Sequence, residues 1–203
     1  MSFDFNNVHV ATHQFYDSHF HENAIKVLPG EYYATNERKL IVTVLGSCVS
    51  VCLRDPVTGI GGMNHFLLPE DERGSPDILA SSARYGVYAM EILINHLMKL
   101  GARKEYLQAK IFGGANVLPG MPSSSVGDKN SEFVRLYLSK EHIEVYSSDL
   151  LGAQPRKVFF FTDTGKVMIK KLKSAHIAPL VNREHIYQSD ISGNTKSGEI
   201  DLF

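Results

Sequence analysis

The chain has 203 residues, 43% of them hydrophobic, which is typical of one globular domain with a sizeable core. Its 21 Lys and Arg residues nearly balance 22 Asp and Glu residues, and a net charge of −1 argues against a nucleic-acid partner, which would require a basic surface. Two cysteines cannot build a disulfide framework, so we expect both to be reduced thiols. The sequence shows no leader and no apolar run of about 18 residues, so we expect a cytoplasmic protein with no membrane insertion.

The first 25 residues are rich in histidine, a common zinc ligand: His9, His13, His19 and His21. His19 and His21 lack a second pair at a recognised metal-site spacing, and no cysteine lies nearby. We therefore predict no metal and no cofactor. Residues 1–25 are interpreted as a peripheral N-terminal segment, and the first ordered stretch is expected from residue 26.

The run from Leu40 to Leu45 consists of β-branched residues and leucine, a composition typical of a buried strand. Gly46 and Ser47 then break the pattern, so a turn presents the thiol of Cys48. Beyond the turn, apolar and small or polar residues alternate through residue 54, which predicts a second strand with one apolar face.

Turn residues at 55–59 predict a hairpin that returns through residues 60–68. With a four-residue loop, Arg54 pairs with Gly59, and His65 lies opposite Cys48 on the same face. A neighbouring imidazole favours the thiolate, so we expect a lowered pKa for Cys48. Cys52 is interpreted as a small buried hydrophobic residue.

Helices and strands alternate irregularly in the rest of the chain. The pattern predicts one helix capped by Ser81 or Ser82 that runs to about residue 100, and a second from 128 or 130 to about 141. It predicts strands over 108–112, 143–146, 157–162 and 166–172. Gly113 and Gly114 have two interpretations, a bulge or helix contact, or a pocket wall that donates an N–H to an oxyanion. We predict an α+β fold, a single layered domain of mixed strands packed with outer helices over residues 26–173, and a peripheral C-terminal tail at 174–203.

The stretch LGSCVSVCLRDPVTGIGGMNHFLLP, residues 45–69, resembles the signature of the CheD family, chemoreceptor glutamine deamidases of bacterial chemotaxis. Three further segments resemble the family in the same order: KVLPGEYY at 26–33, AKIFGGA at 109–115 and TGKV at 164–167. The resemblance covers residues 22–172 approximately. It implies the same kind of layered fold.

The resemblance also implies an activity, hydrolysis of glutamine side-chain amides on receptor cytoplasmic helices to glutamate, with a related methylesterase activity. The family's triad of cysteine, histidine and threonine implies Cys48 and His65 here. The family motif often reads T-x-G-L-G-S-C, one residue longer than the segment in this chain, and Thr43 is its nearest match. The alternative for Thr43 is an ordinary β-branched strand residue.

In this hypothesis Cys48 attacks the amide carbonyl, and His65 takes the thiol proton and later activates water. Backbone N–H groups near Ser47 stabilise the oxyanion, with Gly113 and Gly114 as further candidates for the oxyanion site or substrate pocket. Two alternatives remain open. The same residues suit a thiol hydrolase of methyl esters or other amides, and the chain could act mainly as a binding partner of a CheC-type phosphatase.

Overall fold

The strands that the structure describes form two sheets, and the described helices pack outside them. The computed structural model describes residues 8–69, 76–117, 126–173 and 177–193. In chain order the elements are β1 (His9–Val10), β2 (His13–Asp17), β3 (Glu22–Lys26), β4 (Glu31–Thr35), β5 (Leu40–Leu45), β6 (Val49–Arg54), β7 (Gly61–Asn64), α1 (Pro76–Leu100), β8 (Gln108–Gly113), α2 (Val126–Lys140), β9 (Glu144–Leu150), β10 (Arg156–Phe161), β11 (Val167–Lys171) and α3 (Ile177–Gly193).

Both sheets contain parallel and antiparallel pairs. The six-stranded sheet has the order β1-β4-β7-β6-β8-β9, and the five-stranded sheet has the order β11-β10-β5-β3-β2. The parallel pairs are β1 with β4, β8 with β9, and β3 with β5. This arrangement confirms the predicted α+β fold of mixed strands with outer helices.

The alternation along β6 separates two parts of the core. Val51 and Leu53 belong to a cluster with apolar residues of α1 and α2, so these helices cover one face of the six-stranded sheet. Cys52 belongs to a second cluster that includes Ile41 and Val158 of the five-stranded sheet. The second cluster therefore lies between the sheets, and each large aliphatic side chain buried there contributes about 1.5–3 kcal/mol.

β2 and β3 are part of the five-stranded sheet, whereas β1 is an edge strand of the six-stranded sheet. β2 pairs antiparallel with β3, and β3 pairs parallel with β5, where Ala24 lies beside Leu40 and Ile25 beside Ile41. This pairing corrects the expectation that residues 1–25 are peripheral, for the part of that segment the structure describes. The sequence signal for β3 was weak because only two of its residues, Ala24 and Ile25, are buried. The strand that β3 pairs with, β5, also follows in the chain only after β4.

The hairpin between β6 and β7 has a longer loop than the sequence predicted. Arg54 pairs with Gly61, and not with Gly59. The reason is Asp55, which is fully buried: its Oδ1 accepts the N–H of Val57 at 2.8 Å, and its Oδ2 accepts the N–H of Arg103 at 3.0 Å.

This loop moves the register by two residues. Phe66 forms a bridge with Val49, so the preceding residue, His65, does not lie opposite Cys48 as predicted. A shift by an even number of residues keeps each side chain on its predicted face of the sheet. The register prediction was wrong, but the assignment of faces was unaffected by the error.

The helices begin earlier than the sequence predicted. α1 begins at Pro76, because proline suits the first turn of a helix, where its missing N–H has no partner to lose. It ends at Leu100, and Gly101 follows with a φ of 110°, as expected of a helix stop. Among the helices the structure describes, none has the length and apolar character needed to cross a membrane.

The described part of the C-terminal segment is a helix packed on the domain. Ile191 of α3 is 4% exposed within the cluster beneath α1 and α2, and Tyr187 packs against both core clusters. The expectation of a peripheral tail at 174–203 is therefore wrong for residues 177–193. The pattern was missed because apolar and polar residues are only weakly separated around this helix, and its buried face includes an acidic residue, Glu184.

Candidate active site

The turn from β5 to β6 carries Cys48 from one sheet to the other. All three of its carbonyl groups accept hydrogen bonds: Gly46 O from the N–H of Ala115 at 2.7 Å, Ser47 O from Asn130 Nδ2 at 3.0 Å and Cys48 O from the N–H of Gly114 at 2.8 Å. Because the carbonyls are held outward by these donors, the three N–H groups of the turn are free to converge on another group.

Gly113 and Gly114 hold this turn by close backbone approach. A Cβ on Gly113 would lie 2.1 Å from Cys48 O, and the φ of Gly113 is 113°, a conformation that residues with a side chain rarely adopt. The N–H of Gly114 is already used by Cys48 O, so it is not available to an oxyanion, which was one of its two interpretations. Gly114 therefore supports the Cys48 turn through this backbone contact, and its N–H does not serve as a hydrogen-bond donor in the pocket.

A glycine replacement tests this support. We expect Gly113→Ala to lower the free energy of unfolding by more than about 3 kcal/mol, because a side chain there collides with backbone as well as straining φ. Gly59→Ala is the matched control, since Gly59 has a φ of 77° but open space around it. It should cost about 1 kcal/mol in chemical denaturation. Equal losses in the two variants would contradict the close-approach explanation.

Thr43 and His65 are joined by a buried hydrogen bond. Thr43 Oγ1 lies 2.8 Å from His65 Nδ1 and 2.7 Å from the carbonyl oxygen of Val27. A hydroxyl has one hydrogen, and the carbonyl can only accept, so the hydroxyl donates to Val27 and accepts from Nδ1–H. This fixes the tautomer that leaves the lone pair on Nε2, and His65 Nε2 has no hydrogen-bond partner among the described residues.

The backbone around His65 is fixed as firmly as its ring. Its N–H donates to Glu31 O, and its carbonyl accepts the N–H of Gly30, both at 2.9 Å. β4 therefore determines where the imidazole lies, while β5 supplies the hydroxyl that orients it. Thr43 lies in β5 of the five-stranded sheet, and His65 directly follows β7 of the six-stranded sheet. The β6–β7 hairpin alone could therefore not bring these two side chains together.

Burial keeps the imidazole neutral. It lowers the pKa of His65 to about 4, although the charge of Glu184 and the Val27 carbonyl act in the opposite direction and Arg183 reinforces the lowering. We therefore expect the His65 ring protons in NMR spectra to keep their chemical shifts between about pH 8 and about pH 5.5.

The same shift predicts how stability responds to pH. Between about 6.5, the usual histidine pKa, and about 4, the unfolded chain takes up a proton at this position that the folded chain does not. Stability should therefore fall as pH is lowered through this window. A titration midpoint for His65 near 6.5 would contradict this description of the site.

Cys48 differs from its sequence-based expectation. Its side chain is fully buried, and its pKa is raised well above the usual value, first by burial and then by the charge and hydrogen bonding of the Glu184 carboxylate. The expected lowering by His65 is therefore wrong for this conformation. Cys52 is also buried, and burial raises its pKa too, in agreement with its interpretation as a core residue.

Sequence reasoning missed Glu184 of α3, which occupies the centre of the site. Its Oε1 accepts the N–H groups of Gly46 at 3.0 Å and Cys48 at 3.4 Å, and its Oε2 accepts the N–H of Ser47 at 3.1 Å and the Ser47 hydroxyl at 2.7 Å. Its charge also acts on both Cys48 and His65. The sequence signal that could have found it is the spacing of Glu184, Tyr187 and Ile191, which defines one helical face.

Asn130 of α2 was also missed. Besides its bond to Ser47 O, its Oδ1 accepts the N–H of Leu68 at 2.8 Å, and the residue is fully buried. It ties the turn to the segment that follows His65. The sequence offered it only as a candidate helix start.

These groups are the parts needed for acyl transfer at a carbonyl carbon. The site combines a thiol, a neutral imidazole with an unpartnered Nε2, and three N–H groups that hold a carboxylate. Within the described ranges, no group of three or more His, Cys, Asp or Glu residues is arranged to hold a metal ion.

Comparisons with known proteins agree on a family. The family model described as CheD chemotactic sensory transduction matches residues 67–171. Probable chemoreceptor glutamine deamidase CheD 1 of Shewanella oneidensis is 53% identical over 190 residues, covering 94% of this chain and 92% of that protein. Probable chemoreceptor glutamine deamidase CheD of a Janthinobacterium species is 52% identical over 195 residues, covering 96% of each.

A solved structure, the Bacillus licheniformis hypothetical protein YfiH, matches 73% of this chain and 65% of its own, with a TM-score of 0.42 and 14% identity. A likeness of that size carries no argument about function. The family match and the two near-complete relatives decide the assignment. This chain belongs to the CheD family.

Proposed function

We propose that this chain is a chemoreceptor glutamine deamidase, which hydrolyses side-chain amides of glutamines on receptor cytoplasmic helices to glutamate. The names of the curated relatives support the substrate and reaction class. The geometry supports a cysteine mechanism that needs only water as a second reactant.

In this mechanism Cys48 is the nucleophile and His65 is the general base. His65 Nε2 takes the thiol proton as Sγ attacks the glutamine Cδ, and then gives that proton to the departing ammonia. Water, activated by the same nitrogen, next cleaves the thioester and releases glutamate. Thr43 is a positioning residue, because its hydroxyl accepts from Nδ1–H and so keeps the lone pair on Nε2.

The N–H groups of Gly46, Ser47 and Cys48 would stabilise the oxyanion of the tetrahedral intermediate. The observation that carries the proposal is that this turn already holds a glutamate side chain, with two carboxylate oxygens on its N–H groups. A glutamate side chain is the product of glutamine deamidation. Ser47 adds its hydroxyl as a further donor in the pocket.

A receptor cytoplasmic fragment carrying glutamines tests the function. After incubation with the enzyme, each deamidated glutamine should gain about one dalton in peptide mass spectra, because NH₂ is replaced by OH. A fragment with glutamyl methyl esters, which would lose methyl groups instead, measures methylesterase activity in parallel. Wild type and Glu184→Ala are both assayed, since Glu184 fills the site. Unchanged glutamines with both proteins would contradict the proposal.

A further inference from the structure

α3 presents its glutamate to the site from the surface of a helix. Glu184, Tyr187 and Ile191 lie at positions i, i+3 and i+7, on the face directed toward the domain. Glu184 is 5% exposed, Ile191 is 4% exposed, and the Tyr187 hydroxyl hydrogen-bonds to that of Tyr85 on α1. One helical face thus supplies both an apolar anchor and the side chain that reaches the thiol.

The partners of Glu184 are unusual for a structural contact. A buried carboxylate is costly unless it is paired, and no ion pair among the described residues includes Glu184. Its donors are instead the N–H groups and the hydroxyl of the turn that carries the nucleophile. These are the donors that a reacting side-chain carbonyl would need.

The turn is also shaped for this approach. A Cβ on Gly46 would lie 2.9 Å from Glu184 Oε1, so a larger residue there would push the carboxylate away. The absence of a side chain at Gly46 therefore lets a side-chain carboxyl or amide come close to the backbone.

We propose that α3 is a tethered pseudosubstrate, which holds Glu184 where the side chain of a receptor glutamine is held and which must leave before that glutamine can enter. This inference rests on the proposed deamidase function and extends it to substrate presentation and self-inhibition. The substrate class it implies is a side-chain amide on an α-helix whose next turns bear apolar or aromatic residues. In wild type the tethered side chain is already the product acid, so it is bound but not consumed.

Two consequences follow from this competition. The apparent affinity for a receptor helix is reduced by the fraction of molecules in which α3 is released. The thiol also remains buried and protonated while α3 is docked, because the same carboxylate faces it.

An amide introduced at position 184 should be hydrolysed by the chain itself. In Glu184→Gln, Cys48 Sγ bonds to Cδ as the C–N bond breaks and ammonia leaves with the proton held by His65. Water then adds to Cδ, the C–S bond breaks, and the thiol regains a proton. The net reaction converts the introduced side-chain amide and water into the wild-type carboxylate side chain and ammonia.

Peptide mapping of purified Glu184→Gln measures this reaction directly. The peptide containing position 184 should have the mass of the glutamate form, about one dalton above the encoded amide. The same peptide from Cys48→Ala/Glu184→Gln should keep the amide mass. Gln188, one turn further along α3, is the internal control and should stay an amide in both proteins. An amide at position 184 in the single variant, or conversion in the double variant, would overturn the inference.

Receptor kinetics separate this inference from the function on which it rests. Glu184→Ala should lower the KM for a receptor fragment about tenfold, because α3 competes less well. Asp190→Asn, which removes a charge from an exposed position of the same helix, should leave KM unchanged. If Glu184→Gln keeps its introduced amide yet deamidates the receptor fragment, the pseudosubstrate inference fails and the deamidase function stands. If neither that amide nor any receptor glutamine is converted by any of these proteins, both fail.

Discussion

Cys48→Ala is expected to lower the turnover of receptor glutamines by roughly 10⁴-fold or more, because no other group in the site can form the thioester. The loss should appear in kcat, measured by ammonia release and by the mass of the receptor peptides. Removing the nucleophile from a thiol site leaves only the stabilisation that the N–H groups of the turn can give to uncatalysed hydrolysis.

Cys52→Ala is the matched control for this experiment. Cys52 is buried between the sheets, so its replacement should cost about 1–2 kcal/mol of stability but leave turnover nearly unchanged. A receptor fragment should still bind Cys48→Ala. If Cys48→Ala retained substantial turnover, the chain would have to use another nucleophile. If instead wild type and Cys48→Ala were both inactive, the interpretation as a binding protein with a vestigial site would gain support.

Thr43→Val is expected to lower kcat by about 10- to 100-fold, a loss typical of removing a residue that orients a catalytic ligand or base. Valine keeps the β-branched shape but cannot accept the Nδ1–H of His65. The buried carbonyl of Val27 also loses a donor, so we expect a loss of about 1–3 kcal/mol in unfolding free energy.

Thr43→Ser separates orientation from packing. Serine restores the hydroxyl without the methyl group, so it should recover most of the activity while remaining somewhat less stable than wild type. Ser50→Ala provides the comparison with another buried hydroxyl, since Ser50 Oγ has no hydrogen-bond partner among the described residues. Full activity in Thr43→Val together with a large loss in Ser50→Ala would mean that the third member of the site is misassigned.

Features set by local residue patterns were predictable from the sequence. The buried run of β5, the alternation of β6 and the turn that carries Cys48 all depend on neighbouring residues. The closing hairpin of β10 and β11 was predicted to within a residue or two for the same reason. Such patterns also decided the α+β class.

The register of the β6–β7 hairpin was not predictable from turn residues alone. It depends on Asp55, whose carboxylate accepts the N–H of Arg103 from a distant part of the chain and so lengthens the loop. The partner of His65 was equally distant, because Thr43 comes from the other sheet. Family resemblance supplied Thr43, where strand pairing from sequence could not.

The role of α3 was the hardest feature to predict. A glutamate in a polar segment is usually solvated, and burial of Glu184 depends on three backbone N–H groups that lie about 137 residues earlier. Composition cannot report such donors, because every residue except proline has an N–H group. The raised pKa of Cys48 follows from its burial and from the same contact, and it was therefore missed as well.

The most direct test of the central claim is covalent capture of the nucleophile by a receptor-helix peptide in which a diazoketone replaces the glutamine side-chain amide. The thiol would displace dinitrogen from the diazoketone carbon and form a stable thioether. With Glu184→Ala, which removes the side chain that occupies the turn, peptide mapping should find one adduct, on Cys48, and none on Cys52. An adduct on another residue, or unmodified Cys48 in a protein that deamidates the matching glutamine peptide, would contradict the account.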